Sequence, residues 1–346
     1  MYTKGIGLTI NDILRNKIQS KTSFGKQSAF VKTAAAITMI MFAIGLINGF
    51  FSLITFQNED ARKVGCGLYL LASSITSLLT ITTFTIKFWF TVLIQMHSIV
   101  NASVLQADCV FIGPFLKLCL CLDGWLNACV AIERIVNVSK GVTFNKEMSK
   151  HAARWIIFLL PILIIGTIVH EPISHNLFSY ITQKYKSINN NSTENILIET
   201  EHNTMCVIRY SRSVQTYNTV TLFFHLIVPF LVNLYSALFI IFGTAQKRAA
   251  TQKKHTFKQH ALKQMNEHKQ LLISPIILLV LAVPRLIISL VSGCVDPSNN
   301  PWLYLCAYFI SYLPPMLIFI VFVLPSELYK KIFDESMTRW RRQIHQ

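Results

Sequence analysis

The chain has 346 residues, 52% of them hydrophobic and only 14% charged. Soluble domains carry about 25% charged residues, so a soluble globular protein is excluded. The formal net charge of +16 suggests a nucleic-acid partner, but the basic residues collect in alternate loops between apolar runs, a pattern that belongs to membrane proteins.

In chain order, a basic segment comes first: residues 1–32 carry Lys4, Arg15, Lys17, Lys21, Lys26 and Lys32 against Asp12 alone. No short apolar run with a small-residue cleavage site precedes the first long one, so no signal peptide is read. Apolar runs then cover 33–56, 64–95, 105–133, 152–170, 216–243, 270–292 and 302–324, each near or above the ~20 residues a spanning helix needs. The second run is over-long and carries Lys87, so its far end is read as leaving the bilayer while still helical. The connection 171–214 is the longest, a polar loop with SINNNSTEN at its tip, and 245–269 is basic. SELYKKIF at 326–333 reads as a short amphipathic helix along the membrane surface, with Leu328, Ile332 and Phe333 toward lipid and Lys330 and Lys331 toward headgroups. The predicted fold is an all-α membrane protein: a seven-transmembrane helix bundle over 33–325, preceded by the basic segment and followed by a surface helix and short tail, 326–346. No repeat and no heptad run is present.

Loops with Arg62 and Lys63, with Arg134 to Arg154, with the seven basic residues from Lys247 to Lys269, and with Lys330 to Arg342 outweigh those holding Lys184, Lys186, Arg209 and Arg212. The positive-inside rule makes the first set cytoplasmic, with the N-terminus outside. The basic N-terminal segment argues the other way and is outvoted. Sequons at Asn101, Asn190 and Asn191 fall outside in this topology, where they would be glycosylated, and the one at Asn137 falls inside. Of eight cysteines, Cys109, Cys206 and Cys294 lie outside, which allows one disulfide with one thiol left over.

Cys109 precedes Arg134 by twenty-five residues, roughly 37 Å of helix and close to one membrane crossing. Glu133-Arg134-Ile135 closes that apolar run. Asn48 lies in Gly45-Leu-Ile-Asn48-Gly, Pro229 in His225-Leu-Ile-Val-Pro229, and Pro284 in Leu281-Ala-Val-Pro284-Arg285. In this order and context the residues resemble the rhodopsin-like G-protein-coupled receptors over 33–335. The resemblance implies that Glu133 holds Arg134 at rest and releases it to the G protein on activation. It also implies a disulfide from Cys109 to Cys206, with Cys294 as the competing partner. Gln264 stands where some members place a locking acid, which leaves Glu133 as the main latch.

The sequence departs from that pattern. Ala282 replaces the usual sixth-helix tryptophan, Ala237 stands near the expected fifth-helix tyrosine, Ile318-Phe319 replaces Asn-Pro, and Phe322 replaces tyrosine. Pro314 and Pro315 come about one turn earlier. Ser74 stands where the family has its second-helix aspartate, and Asp123 where it commonly has a serine. The acid has changed helices, so Asn48, Ser74 and Asp123 are expected to meet mid-membrane. The site is either a protonated structural acid or a sodium or proton site, because a buried carboxylate is expensive unless paired, hydrated or protonated.

For a ligand pocket, Leu116 occupies the position of the amine-binding aspartate of aminergic receptors, which disfavours a biogenic amine. Lys117, His225 and Arg285 are placed to point into the bundle. They imply either an anionic ligand group or internal partners such as Glu171. The expectation is a receptor passing a signal from an extracellular ligand, a peptide or one with an anionic group, to a heterotrimeric G protein. No enzymatic motif and no cofactor site is read. The alternatives are a transporter or channel, and a receptor fold that has lost G-protein coupling.

Overall fold

The computed structural model describes residues 14, 17–18, 22–96, 102–190, 193–208, 210–251 and 300–344, together with 276, 277, 280, 281, 283, 284 and 287. Five helices among them are long and apolar enough to cross a membrane. They are α1 (Ala29–Gln57), α2 (Gly65–Met96), α3 (Gly113–Lys140, entered through a π-helical turn Asp108–Ile112), α4 (Lys146–Ile168) and α5 (Arg212–Thr251). The large apolar side chains of α4, from Trp155 to Ile165, are largely exposed, as expected of a helix whose outer face meets lipid. The predicted sixth span, 270–292, and with it Arg285, lies outside the described residues apart from isolated positions.

Local sequence sets the helix limits. Gly141, at φ 53°, ends α3, a left-handed conformation that glycine adopts without a Cβ penalty. At the start of α4 the Asn145 side chain accepts from the Met148 N–H at 3.1 Å, satisfying a donor the first turn cannot. α3 therefore runs on past Arg134 for six residues, so the acid–arginine pair lies inside a helix and not at its end.

Three expectations are corrected. The loop 171–214 is not merely polar coil. It holds an antiparallel hairpin, β1 (His175–Asn190) with β2 (Thr193–Ile208), paired from His175↔Ile208 to Asn190↔Thr193. Its β-branched and aromatic content suits strands. The predicted seventh span is not one helix but α6 (Pro301–Ile310), a single turn Leu313–Met316 and a π-helical turn Phe319–Val323. Pro314 and Pro315 remove two amide donors and clash with the preceding turn, which breaks the helix there. The surface helix is longer than predicted: α7 covers Glu327–Ile344.

Buried apolar residues form two large clusters stacked along the bundle. One joins Phe30, Phe84, Phe88, Leu116, Tyr304 and Phe309; the other joins Phe56, Tyr69, Leu126, Val130, Phe322 and Ile332. A belt of polar side chains on α1, α2 and α3 lies between them, including Ser52, Ser73, Ser77, Thr80 and Asp123. α3 packs against α2, α4 and α5 and is the hub of the arrangement. Ser77 of α2 donates to the Pro315 carbonyl, an acceptor beside the proline break.

Close approach requires glycine at position 67. A Cβ on Gly67 would lie 1.8 Å from the Ala61 carbonyl oxygen, a backbone atom that cannot move aside, whereas one on Gly113 would meet nothing within 4 Å. Gly67→Ala is expected to lower the stability of the purified protein by about 1–3 kcal/mol through overpacking. Gly113→Ala is expected to be neutral or stabilising, because alanine is the better helix former. Thermal unfolding in detergent compares them; equal effects would contradict the packing described.

Candidate functional site

At one end of α3, the Arg134 end, the expected latch is not formed. Among the described residues no ion pair joins Glu133 to Arg134. Glu133 instead accepts a hydrogen bond from Ser149 of α4. Its second oxygen lies over the first turn of α2, where a Cβ on Gly65 would come within 2.8 Å of it. Ser149 also accepts from the Gly65 N–H at 3.2 Å. The helix N-terminus of α2 favours a carboxylate here, so Glu133 ties α2, α3 and α4 together.

Arg134 turns the other way. Its guanidinium lies over the Phe322 ring, 5.3 Å from the centroid, and its charge acts on the Cys66 thiol and the Tyr329 hydroxyl. The Tyr329 hydroxyl donates to the Cys66 sulfur at 4.0 Å. Burial, ahead of the nearby cysteine, pushes the Tyr329 phenol well above its ordinary range, so it remains a neutral donor.

Midway along α3, Asp123 is buried at 3% exposure. It accepts from Ser73 Oγ at 2.6 Å and from Asn127 Nδ2 at 3.3 Å. The predicted partner was Ser74, and this is a correction: Ser74 donates to the Leu70 carbonyl of its own helix, and Asn48 to the Ile44 carbonyl. Adjacent helix positions differ by about 100°, so a one-residue offset decides which serine faces α3. Asn48 is nonetheless buried in the same belt. Among the described residues no group of three His, Cys, Asp or Glu side chains is gathered for a metal.

At the opposite end, each described cation of the bundle interior has its own acid. Lys87 of α2 lies 2.7 Å from Asp108, with 9% and 2% of the residues exposed. Lys117 of α3 is bonded to Glu171, just beyond α4, and donates to Asn218 Oδ1 of α5 at 3.2 Å. His170 Nε2 faces the same Asn218 oxygen at 3.1 Å. His225 Nδ1 accepts from the Trp125 indole N–H at 2.9 Å, which fixes a neutral ring as the Nε2–H tautomer. Nε2 then donates to Thr167 Oγ1 at 2.8 Å, and Thr167 donates to the Ile164 carbonyl at 2.7 Å. α3, α4 and α5 are thus joined by one polar network.

Of the other predicted site residues, Leu116 is packed in the apolar core. Cys109 is buried and disulfide-bonded, with its partner outside the described side chains. Cys206 is placed by backbone only, opposite Leu177 near the base of the hairpin, and β1 packs on the turn that carries Cys109. Asn190 is the last residue of β1; Asn101 and Asn191 lie outside the described residues, as do Gln264 and Cys294. Sequence reading missed Asp108, Ser149, Ser73 and Asn218. Only Asp108 carried a signal, as an acid beside Cys109 at the same end of the bundle as Lys87.

No protein-family model matches the sequence, and no curated protein matches it.

Lys117→Met alone strands the Glu171 carboxylate, and breaking a buried pair costs about 3–5 kcal/mol. Lys117→Met combined with Glu171→Met is expected to lie closer to wild type than either single change. Thermal unfolding of all four proteins measures the coupling, and additive losses would show that the pair is not a unit.

Proposed function

We propose that the chain is a seven-helix G-protein-coupled receptor of rhodopsin-like type, with the Cys109 end outside the cell and the Arg134 end facing a cytoplasmic G protein. The observation that carries this reading is α3 itself. One membrane-length helix bears a disulfide-bonded cysteine at its entry and Arg134 near its exit, and packs on three other long apolar helices. In this reading the apolar run 270–292 is counted as the sixth span, and the segment from α6 to the Phe319–Val323 turn as the seventh. α7 lies along the cytoplasmic surface.

In this reading Cys109 pairs with Cys206, which draws the β1–β2 hairpin over the mouth of the bundle. Glycans sit on Asn101 and on Asn190 or Asn191. Lys117 and His225 already have partners inside the protein, so the favoured ligand is a peptide that engages the hairpin and the mouth. Its acidic groups, if used, would compete with Glu171 for Lys117. Ligand binding shifts the population of a two-state bundle and frees Arg134 for the G protein. The loss of Asn-Pro, the tyrosine at 322 and the tryptophan at 282 favours, as the second reading, a receptor fold without coupling.

Arg134→Ala is expected to abolish G-protein recruitment across a panel of G proteins challenged with a peptide library, with cell-surface expression unchanged. Normal signalling by that variant would defeat the reading. No recruitment by the wild-type chain under any challenge would favour the uncoupled fold.

A further inference from the structure

We propose that Phe322 is the positioning residue that restrains Arg134 at rest, in place of the neighbouring acid. The inference rests on the receptor reading for its consequence but not for its geometry. Glu133 makes no ion pair with Arg134: Ser149 donates to one oxygen, and the other is buried beside the first turn of α2 with no hydrogen-bond partner among the described residues. The guanidinium, left without that carboxylate, covers the face of a ring that is 3% exposed. A cation over a buried aromatic face is attracted by the ring quadrupole, and the attraction grows as water is removed.

The turn that carries the ring is packed against α1 and α7. Phe322 belongs to the Phe319–Val323 π-helical turn. In that turn Phe319 packs on Phe51 of α1 at 5.4 Å and on Phe333 of α7 at 4.9 Å between ring centroids. α7 is fixed to α1 in turn, with Tyr329 against Phe56 at 5.2 Å and Ser336 accepting from Asn58 at 3.0 Å. The turn follows the Pro314–Pro315 break, so it can move without dragging a continuous helix behind it. Movement of this turn would withdraw the ring from Arg134 while leaving Glu133 in place. The aromatic thus takes the restraint that the family resemblance gives to Glu133, and the acid instead joins helices.

Cys66 reports the state of this contact without any signalling partner, because Arg134 and Tyr329 both crowd its thiol. The test is the rate at which N-ethylmaleimide labels Cys66 in the purified full-length protein in lipid nanodiscs. Peptide mass spectrometry resolves the site, with exposed Cys306 as the internal reference. Phe322→Leu keeps an apolar side chain but removes the π face. It is expected to raise Cys66 labelling about 2- to 30-fold, the range a partly to fully desolvated cation–π contact supplies. Phe322→Tyr keeps the ring and is expected to label at the wild-type rate; Phe322→Met substitutes if the leucine variant does not fold. In an Arg134→Gln background, Phe322→Leu should add nothing further. Wild-type labelling of Phe322→Leu, equal rates for the leucine and tyrosine variants, or full additivity with Arg134→Gln would each overturn the proposal. Basal G-protein recruitment, measured in parallel, should rise with labelling. Faster labelling with no recruitment would uphold the aromatic restraint and reject the receptor reading.

Discussion

A lysine ammonium inside an apolar helical bundle must be neutralised where it stands. Lys87 and Lys117 are neutralised by acids from neighbouring elements, Asp108 and Glu171. In lipid there is little hydrophobic drive to bring helices together, and an interhelical hydrogen bond contributes on average about 0.6 kcal/mol. A single charge at the centre of a spanning helix costs about 2.5–3.5 kcal/mol by insertion scales. The two ion pairs therefore outrank any individual hydrogen bond in deciding which helices are neighbours. Lys87–Asp108 sets α2 against the entry of α3, and Lys117–Glu171, with Asn218, sets α3 against the ends of α4 and α5.

The same rule organises the rest of α3. Asp123 is bonded by Ser73 and Asn127, and Glu133 by Ser149. Arg134 has an aromatic face and the Cys66 thiol as its neighbours. Along one helix the contacts grade from strong internal ion pairs to a cation–π contact of about 0.5–2 kcal/mol. The weakest restraint stands at the end proposed to face the G protein.

Hydrophobic run length made the spans legible: α1 and α2 fall within four residues of their predicted limits, and α4 starts six residues early with its polar first turns. The internal pairing of Lys117 with Glu171 was visible as one of two options, since a buried cation needs either a ligand or an acid. What could not be read was angular detail. Whether Ser73 or Ser74 meets Asp123 depends on a rotation of one helix position. Whether Glu133 faces Arg134 or Ser149 depends on how α2 and α4 pack, which no local pattern encodes. The hairpin was missed for a different reason. Its strands alternate weakly and carry a polar tip, and a two-stranded unit draws its order from pairing across the chain and not from run length.

The arrangement of the Cys109 half as a set of internally neutralised charges is tested most directly by exchanging the charges of one pair. Lys87→Glu and Asp108→Lys, singly and together, can be compared by cell-surface delivery of the full chain and by thermal unfolding of the purified protein. Each single change places two like charges in a buried site and is expected to block delivery or to cost several kcal/mol. The double exchange is expected to restore a large part of both. Single variants that fold and travel like wild type, or an exchange no better than its parts, would contradict the account.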